Sequence, residues 1–129
     1  MNTTRRIAAI GATLGALASV GLATAPTASA TTYNGCVYPR VCFYLTDAAW
    51  DSGTPTAAYQ DITTSYQNLS PQARGAAWVV NTRNDDRAYL RYNYAGATHY
   101  LCLAPNKLTF FAVGKEIVTG IRIDTTATC

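Results

Sequence analysis

Short runs rich in aromatic and β-branched residues recur along the chain from residue 41 onward, and turn-forming residues separate them. This composition is typical of β-strands. Several runs also alternate apolar and polar side chains with the two-residue period of a strand, as Val41, Phe43 and Leu45 do. Helical periodicity is absent beyond residue 30, so an all-β fold is predicted. The predicted strands span residues 41–46, 57–62, 76–81, 87–92, 98–103, 108–113 and 117–124.

The first thirty residues have the composition of a secretory signal peptide. Arg5 and Arg6 form a short positive region, an apolar stretch rich in Ala, Gly and Leu follows, and residues 28–30 read Ala-Ser-Ala, a small-x-small cleavage site. A membrane anchor is the alternative, but glycines and Pro26 interrupt the apolar stretch. The sequence therefore predicts export by the general secretory route and cleavage after Ala30, which makes the protein extracellular and leaves no membrane segment.

The spacing of the predicted strands favours one small antiparallel sandwich over residues 31–129, because parallel strands would need helical crossovers between them. In the last strand, Ile117, Thr119, Ile121 and Ile123 are predicted to share one face. Residues 70–73 predict one short helical turn. No linker or low-complexity stretch divides this region.

All four cysteines lie beyond residue 30, and an even count in a short exported chain predicts two disulfide bonds. Three pairings exist for Cys36, Cys42, Cys102 and Cys129. Cys36 and Cys42 bracket a tight loop, which leaves Cys102 to pair with Cys129. By loop-closure entropy the short bridge contributes about 2 kcal/mol to stability and the long bridge about 3.5 kcal/mol.

The charge of the chain excludes several partners. Its formal net charge of +3 falls to +1 once Arg5 and Arg6 are removed, because eight basic residues then face seven acidic ones. A domain that binds nucleic acid or an acidic membrane surface would carry a cluster of basic residues, and residues 31–129 contain none. No nucleic acid or membrane partner is therefore expected, and the domain is predicted to be a monomer.

The residue types that catalysis needs are scarce. His99 is the only histidine and Glu116 the only glutamate, so a Ser-His-Asp or His-Glu arrangement would have to be built on a histidine in a predicted strand. Asp85 and Asp86 are adjacent acids in a predicted turn, where such pairs usually have a local charge partner. No CxxC motif accompanies the single histidine. The sequence predicts no enzyme, no metal site and no cofactor.

Two stretches, residues 42–53 and 89–96, are weakly alike, since each places an aromatic strand before a turn that contains an aromatic residue and glycine. Such halves suggest paired Greek keys. Further landmarks occur in one order along residues 31–129: Cys36-x5-Cys42-x-Tyr44, Ala73-Arg74 leading through Trp78 to Asn81-Thr82, Leu90-Arg91-Tyr92, Cys102-Leu103, and Val113-Gly114-Lys115 followed by Ile121-Arg122. Together they resemble the βγ-crystallin superfamily and, more closely, the secreted actinobacterial metalloproteinase-inhibitor family. The resemblance implies a βγ-crystallin-like Greek-key sandwich of about seven strands that inhibits a thermolysin-like extracellular metalloprotease.

The same resemblance implies an inhibitory loop formed by Cys102, Leu103, Ala104 and Pro105, with the reactive bond between Cys102 and Leu103. Thermolysin-like enzymes favour a bulky apolar residue just after the scissile bond, which suits Leu103. A loop that is already rigid loses little further entropy on binding. In the family a second cysteine closes the loop a few residues on, and this chain has none there. Cys129 is then the expected partner of Cys102, and Pro105 an added source of rigidity.

The crystallin resemblance also raises calcium binding, which is not expected here. Hard cations need several oxygen ligands. The aligned stretch at residues 70–75 has lost its carboxylates and carries Arg74 where the ion would lie.

Tyrosines are the basis of the alternative function. The chain contains nine of them, and Tyr92, Tyr94 and Tyr100 beside Arg91 would suit a binding surface, because tyrosine offers a large contact area at low entropy cost. The alternative is a secreted crystallin-like binding module, or a killer-toxin-like one, that recognises a protein or a cell-wall glycan.

Overall fold

A computed structural model describes residues 31–129 of the protein. The predicted signal peptide, residues 1–30, lies outside the described residues. Within residues 31–129 the all-β prediction is confirmed, and no helix there is long and apolar enough to cross a membrane. In chain order the elements are β1 Thr32–Tyr33, β2 Cys36–Val37, β3 Val41–Tyr44, α1 Asp47–Asp51, β4 Ala57–Tyr59, β5 Gln67–Asn68, β6 Trp78–Asn81, β7 Arg87–Tyr94, β8 Ala97–Leu103, β9 Leu108–Phe110 and β10 Ile117–Asp124.

The seven predicted strands are present as β3, β4 and β6 to β10, several of them with shorter bounds. The sequence missed three two-residue strands and the helix α1. The predicted first strand ends at Tyr44 because Thr46 caps α1 instead, its side-chain oxygen accepting a hydrogen bond from the N–H of Ala49. Residues 70–73 form a hydrogen-bonded turn and no helix, in which Ser70 O accepts from the N–H of Arg74.

Two four-stranded antiparallel sheets make up most of the domain. The order is β4-β3-β6-β9 in the first sheet and β5-β10-β7-β8 in the second, and β1 and β2 form a separate hairpin. The two orders correspond, because each sheet takes three strands from one half of the chain and its fourth from the other half. β9 thus joins the first sheet and β5 the second.

The inner faces of both sheets contribute to one apolar core, as the sandwich prediction requires. Val41 and Phe43 of β3 face this core, whereas Cys42 and Tyr44 face the other way, so the predicted alternation of β3 is confirmed. The core residues that are essentially excluded from solvent are Val41, Phe43, Leu69, Ala73, Ala76, Val79, Ala88, Leu90, Leu103, Phe111, Val118, Ile121 and Ile123.

The alternation predicted for the last strand is wrong in its first half. β10 carries a bulge, because Val118 pairs with Tyr92 and Gly120 with Arg91, which leaves Thr119 as an extra residue. The bulge reverses the direction of the side chains, so Val118 enters the core in place of Ile117 and Thr119. Arg91 stabilises the bulge through its Nε, which donates to the Thr119 hydroxyl at 3.1 Å.

Both expected disulfides are present, joining Cys36 to Cys42 and Cys102 to Cys129. The first lies in a second, smaller apolar cluster on the outer face of the first sheet. There the β1–β2 hairpin and α1 pack over Tyr44 and Val80. The second disulfide ties the end of the chain to β8.

Candidate functional site

The residues of the inhibitory loop implied by the resemblance do not form an exposed loop. Cys102 and Leu103 are the last residues of β8 and pair with Tyr89 and Ala88 of β7. The Leu103 side chain points inward and is only 4% exposed, in the core between the sheets. As folded, the Cys102–Leu103 bond cannot be presented to a protease cleft, because Leu103 would first have to leave the core.

The turn after β8 is nevertheless rigid. Ala104 and Pro105 are half-buried, and the buried Asn81 side chain donates hydrogen bonds to the carbonyl oxygens of Leu103 at 3.1 Å and Ala104 at 3.3 Å. The N–H of Asn106 donates to Arg83 O at 3.1 Å. Asn81 thus restrains the start of this turn, and the exposed part of the turn begins at Asn106.

The turn that precedes β7 is fixed by a buried ion pair. Arg83 forms a salt bridge with Asp86, and its guanidinium also donates to the carbonyl oxygens of Pro39 at 2.7 Å and Gln60 at 3.1 Å. The prediction that the adjacent acids of this turn have a local charge partner is confirmed for Asp86. Arg83 therefore links three loops at this end of the sandwich.

The tyrosine group predicted to form a binding surface is divided between two faces. Tyr92 pairs with His99 and points to the core side of the second sheet, whereas Arg91 pairs with Tyr100 on the outer face. The His99 ring stacks on Tyr92 with centroids 5.4 Å apart.

Among residues 31–129, no group of three or more His, Cys, Asp or Glu side chains has the proximity that a metal ion needs.

A continuous row of aromatic rings instead lies on the outer face of the first sheet. Trp50 of α1 stacks on Trp78 of β6 with centroids 4.5 Å apart and planes 14° apart. Trp78 contacts Phe110 of β9 at 5.0 Å, and Trp50 contacts Tyr33 of β1 at 6.2 Å. We call the surface formed by Tyr33, Trp50, Trp78, Phe110 and the adjacent Leu108 the aromatic surface.

A groove of about 350 Å³ opens beside this row. It lies between the β1–β2 hairpin and the strands β6 and β9, so that the rigid turn after β8 forms one of its walls. The lining residues are Thr31, Tyr33, Val80, Asn81, Thr82, Asn106, Lys107 and Leu108. Lys107 is the one charged residue among them, which leaves the groove mainly apolar with a positive rim.

Hydrogen bonds hold the central part of the aromatic surface. The indole Nε1 of Trp78 donates to the Asp47 carboxylate at 2.9 Å, and the hydroxyl of Tyr44 donates to Asn34 O at 2.6 Å beneath Trp50. Burial, reinforced by nearby Tyr33, raises the pKa of Tyr44 to about 12. The Trp78 ring and the Trp50 ring stacked on it are therefore held in place, so they have little side-chain entropy to lose if a partner binds.

The outer face of the second sheet is different and carries interleaved arginine and tyrosine side chains. The Arg122 guanidinium lies 4.7 Å from the ring centroid of Tyr89 and 5.7 Å from that of Tyr66. Arg87 pairs with Asp124 at 2.9 Å. Burial raises the pKa of the Asp124 carboxyl, but hydrogen bonds from Arg87 and the N–H of Thr126 outweigh it, so that this pKa lies below its ordinary value.

Comparisons of the chain with protein-family models, with curated proteins and with solved structures found no match.

The sequence missed the aromatic surface because its members come from four separate elements. Trp50 and Trp78 are the only tryptophans of the chain and were available as a signal. In the sequence, however, Trp50 lies in a stretch that suggests a Greek-key turn, and Trp78 is one of the landmarks on which the family resemblance rests. Their stacking depends on α1, which the sequence did not predict.

Proposed function

We propose that this chain is an exported, non-enzymatic domain of βγ-crystallin type that binds an extracellular protein through the aromatic surface. The observation that carries the proposal is the row of contacting aromatic rings beside an apolar groove, on a face that the sandwich core does not use. Neighbouring exposed apolar side chains with a polar rim are typical of protein interaction sites.

The strand order supports the βγ-crystallin part of the proposal. β3 to β6 and β7 to β10 are two four-strand units in which the third strand, β5 or β9, crosses to the opposite sheet. Two intertwined Greek keys have this connectivity. Two disulfides in so small a domain support export, because such bonds persist in oxidising compartments.

The composition of the surface favours a protein as the partner. Tryptophan and tyrosine dominate binding hot spots, and a partner side chain that enters the groove would be desolvated against Leu108 and Val80. Phe110 is 51% exposed although it is large and apolar, so covering it removes apolar area from water.

Peptide selection tests this proposal. The protein, exported with its own N-terminal segment, is immobilised and used to select binders from a displayed random peptide library. We expect peptides with aromatic or branched apolar residues that bind wild type and bind Phe110→Ser at least ~10-fold more weakly, as loss of a hot-spot residue requires. Because Trp50 and Trp78 are the only tryptophans, binding should also change the intrinsic tryptophan fluorescence.

Val113→Ser is the matched control, since Val113 is a similarly exposed apolar residue that is not part of the aromatic surface. Selected peptides should bind this variant as they bind wild type. Peptides that bind Phe110→Ser undiminished would contradict the proposal. Retention of the wild type on insoluble cell-wall glycan, lost in Phe110→Ser, would make the partner a carbohydrate instead.

Inhibition of a thermolysin-like metalloprotease is the second candidate, and the rigid turn after β8 favours it. The turn leads to Leu108, a bulky apolar residue that is 40% exposed and directly follows Lys107. A thermolysin-like protease requires an accessible, bulky apolar residue just after the scissile bond. If the domain inhibits such a protease, Leu108 after the Lys107–Leu108 bond meets this requirement, whereas buried Leu103 does not.

This second candidate predicts that the protein slows thermolysin at near-equimolar amounts. Leu108→Asp should abolish the effect, since it places a charge in an apolar pocket, while Leu69→Val, a mild change in the core, should keep it. Asn81→Ala should convert the protein into a substrate that is cut near Lys107, because the turn loses the hydrogen bonds that hold it. Undiminished proteolysis at a large excess of wild-type protein would reject inhibition.

A further inference from the structure

One sheet edge in this domain lacks the protection that the others have. Among residues 31–129 the two sheets end in β4 and β9 on one side and β5 and β8 on the other. The first three of these edge strands have only two or three residues, which leaves little backbone to pair. β8 has seven residues, Ala97–Leu103, with no charged side chain and no proline. Natural proteins usually place such residues on a long exposed edge to prevent pairing with another chain.

The turn geometry identifies which backbone groups of β8 are free. Tyr94 and Ala97 close a two-residue hairpin around Ala95 and Gly96, both with positive φ, so they form a hydrogen-bonded pair. The pairing with β7 continues without a register shift. Hydrogen-bonded pairs alternate along the strand, and the backbone groups of Thr98, Tyr100 and Cys102 therefore point away from β7. No hydrogen bond within residues 31–129 uses them.

We propose that β8 pairs antiparallel with β8 of a second copy of this chain, which joins the two second sheets into one sheet of eight strands. With the two-fold axis at Tyr100, that residue meets its own copy while Thr98 meets Cys102 of the second copy. All three residue pairs then exchange both of their hydrogen bonds, and none of the free groups on the edge is left over.

The side chains are compatible with this register. Tyr100 is 62% exposed and would lie against the Tyr100 ring of the second copy, a favourable aromatic cross-strand pair. His99 and Leu101 would meet across the axis on the core side. Thr98 is the small residue that would approach the Cys102–Cys129 disulfide of the second copy. No like charges face each other. In a pair of identical strands, the two-fold axis repeats each favourable residue pair on both sides, which a foreign strand of another sequence would not do.

Sedimentation velocity of the exported protein between about 1 µM and about 1 mM tests the pairing. We expect a reversible monomer–dimer equilibrium with a midpoint on the order of 100 µM, because an edge contact buries less area than a standard interface. Tyr100→Lys should raise the midpoint at least ~10-fold, since it places two positive charges directly opposite each other. Tyr38→Lys changes an exposed tyrosine that lies outside the second sheet, and should shift the midpoint less than ~2-fold.

Amide hydrogen exchange locates the contact. In the dimer the amides of Thr98, Tyr100 and Cys102 should exchange at least ~10-fold more slowly than in dilute protein, while exposed amides elsewhere keep their rates. A dimer that survives Tyr100→Lys, or one that leaves these three amides unprotected, would overturn the proposal. A monomer at about 1 mM would overturn it as well and would leave a foreign strand as the remaining occupant of this edge. The aromatic surface lies on the other sheet, so peptide binding there should be the same for wild type and Tyr100→Lys.

Discussion

The two sheets of this domain have corresponding strand orders but very different outer faces. The outer face of the first sheet is apolar and partly covered by α1 and the β1–β2 hairpin. The Cys36–Cys42 disulfide ties the hairpin to β3. The outer face of the second sheet carries arginine and tyrosine side chains, and the end of the chain crosses it to reach Cys102. The hairpin comes from the beginning of the domain, and the segment on the second sheet comes from its end.

The inner faces alone supply the apolar core that joins the two sheets. Val41, Phe43 and their counterparts on β7 and β10 bury the apolar area that holds the sheets together. The outer faces are then free to differ, one with fixed aromatic rings and the other with charges. The hairpin and α1 on the first sheet should stabilise the fold through packing, whereas the arginine and tyrosine face of the second sheet should contribute weaker, salt-sensitive interactions.

Gly35→Ala should have the largest effect on stability. Gly35 lies in the β1–β2 hairpin, which covers the outer face of the first sheet, and it allows the hairpin to approach Gly53 closely. Its φ is +80°, and a methyl group there would lie 1.9 Å from the carbonyl oxygen of Gly53. Gly96 has a similar φ of +77° in the β7–β8 turn, with nothing within 4 Å. We expect Gly96→Ala to cost about 1 kcal/mol of unfolding free energy and Gly35→Ala more than ~3 kcal/mol. Urea denaturation measures both, and equal losses would mean that the hairpin does not depend on this contact.

Tyr44, which lies beneath the β1–β2 hairpin and α1, should make the unfolding free energy depend on pH in the alkaline range. Its pKa is about 12 in the folded protein and 10.0 when unperturbed. The resulting stabilisation is complete below pH 10 and is lost as the pH rises towards 12, because the folded state disfavours the ionised form. Wild type should therefore lose unfolding free energy relative to Tyr44→Phe across this window.

Spectrophotometric titration gives an independent measurement of this effect. One of the nine tyrosines should ionise near pH 12 in wild type, and that step should be missing in Tyr44→Phe. Parallel stability curves for the two proteins would contradict the assignment.

Asp124 should give the charged face a smaller, acid-sensitive contribution. Its pKa is lowered in the folded protein, so the stabilisation is present above the ordinary pKa of 3.8 and is lost as the pH falls below it. The carboxylate is partly exposed, and the loss should stay within about 1 kcal/mol. The difference between wild type and Asp124→Asn, followed by thermal unfolding from pH 6 to pH 2, should shrink as the pH falls and should also shrink at high salt.

Ala95→Asn should have the smallest effect, and it should be stabilising. Ala95 has φ +49° in the β7–β8 turn, where asparagine is preferred over alanine. We expect a gain of about 0.5 kcal/mol in unfolding free energy. Asn34 already occupies the corresponding position of the β1–β2 turn with φ +47°, so Asn34→Ala should show the opposite sign.

Much of the fold could be predicted because inner and outer residues alternate strictly where no bulge intervenes. The runs at β3, β7 and β8 have this pattern, and the cysteine count gave the two disulfides. The Thr119 bulge was not predictable from the alternation, since it depends on the partner Arg91 in another strand. α1 has only five residues, too few to show a helical period.

The site was harder to predict than the fold. Leu103 has the residue type that an inhibitory loop requires, but the same property makes it a core residue once β8 continues to that position. The sequence places Tyr92 and Tyr100 close together and predicts one surface, yet they lie on opposite faces of the sheet. The aromatic surface combines α1, β1, β6 and β9, and only tertiary structure brings these elements together.

Because β5 and β9 are exchanged between the sheets, neither half of the chain can complete a sheet by itself. Neither residues 31–86 nor residues 87–129 contain all the strands of either sheet. A chain emerging from a ribosome or a translocation channel cannot complete the first sheet until β9 has appeared, and then only a short C-terminal stretch remains inside. Such long-range pairing favours late and cooperative folding. The protein should therefore remain unfolded, and able to pass through a channel, until nearly its whole length has emerged from it.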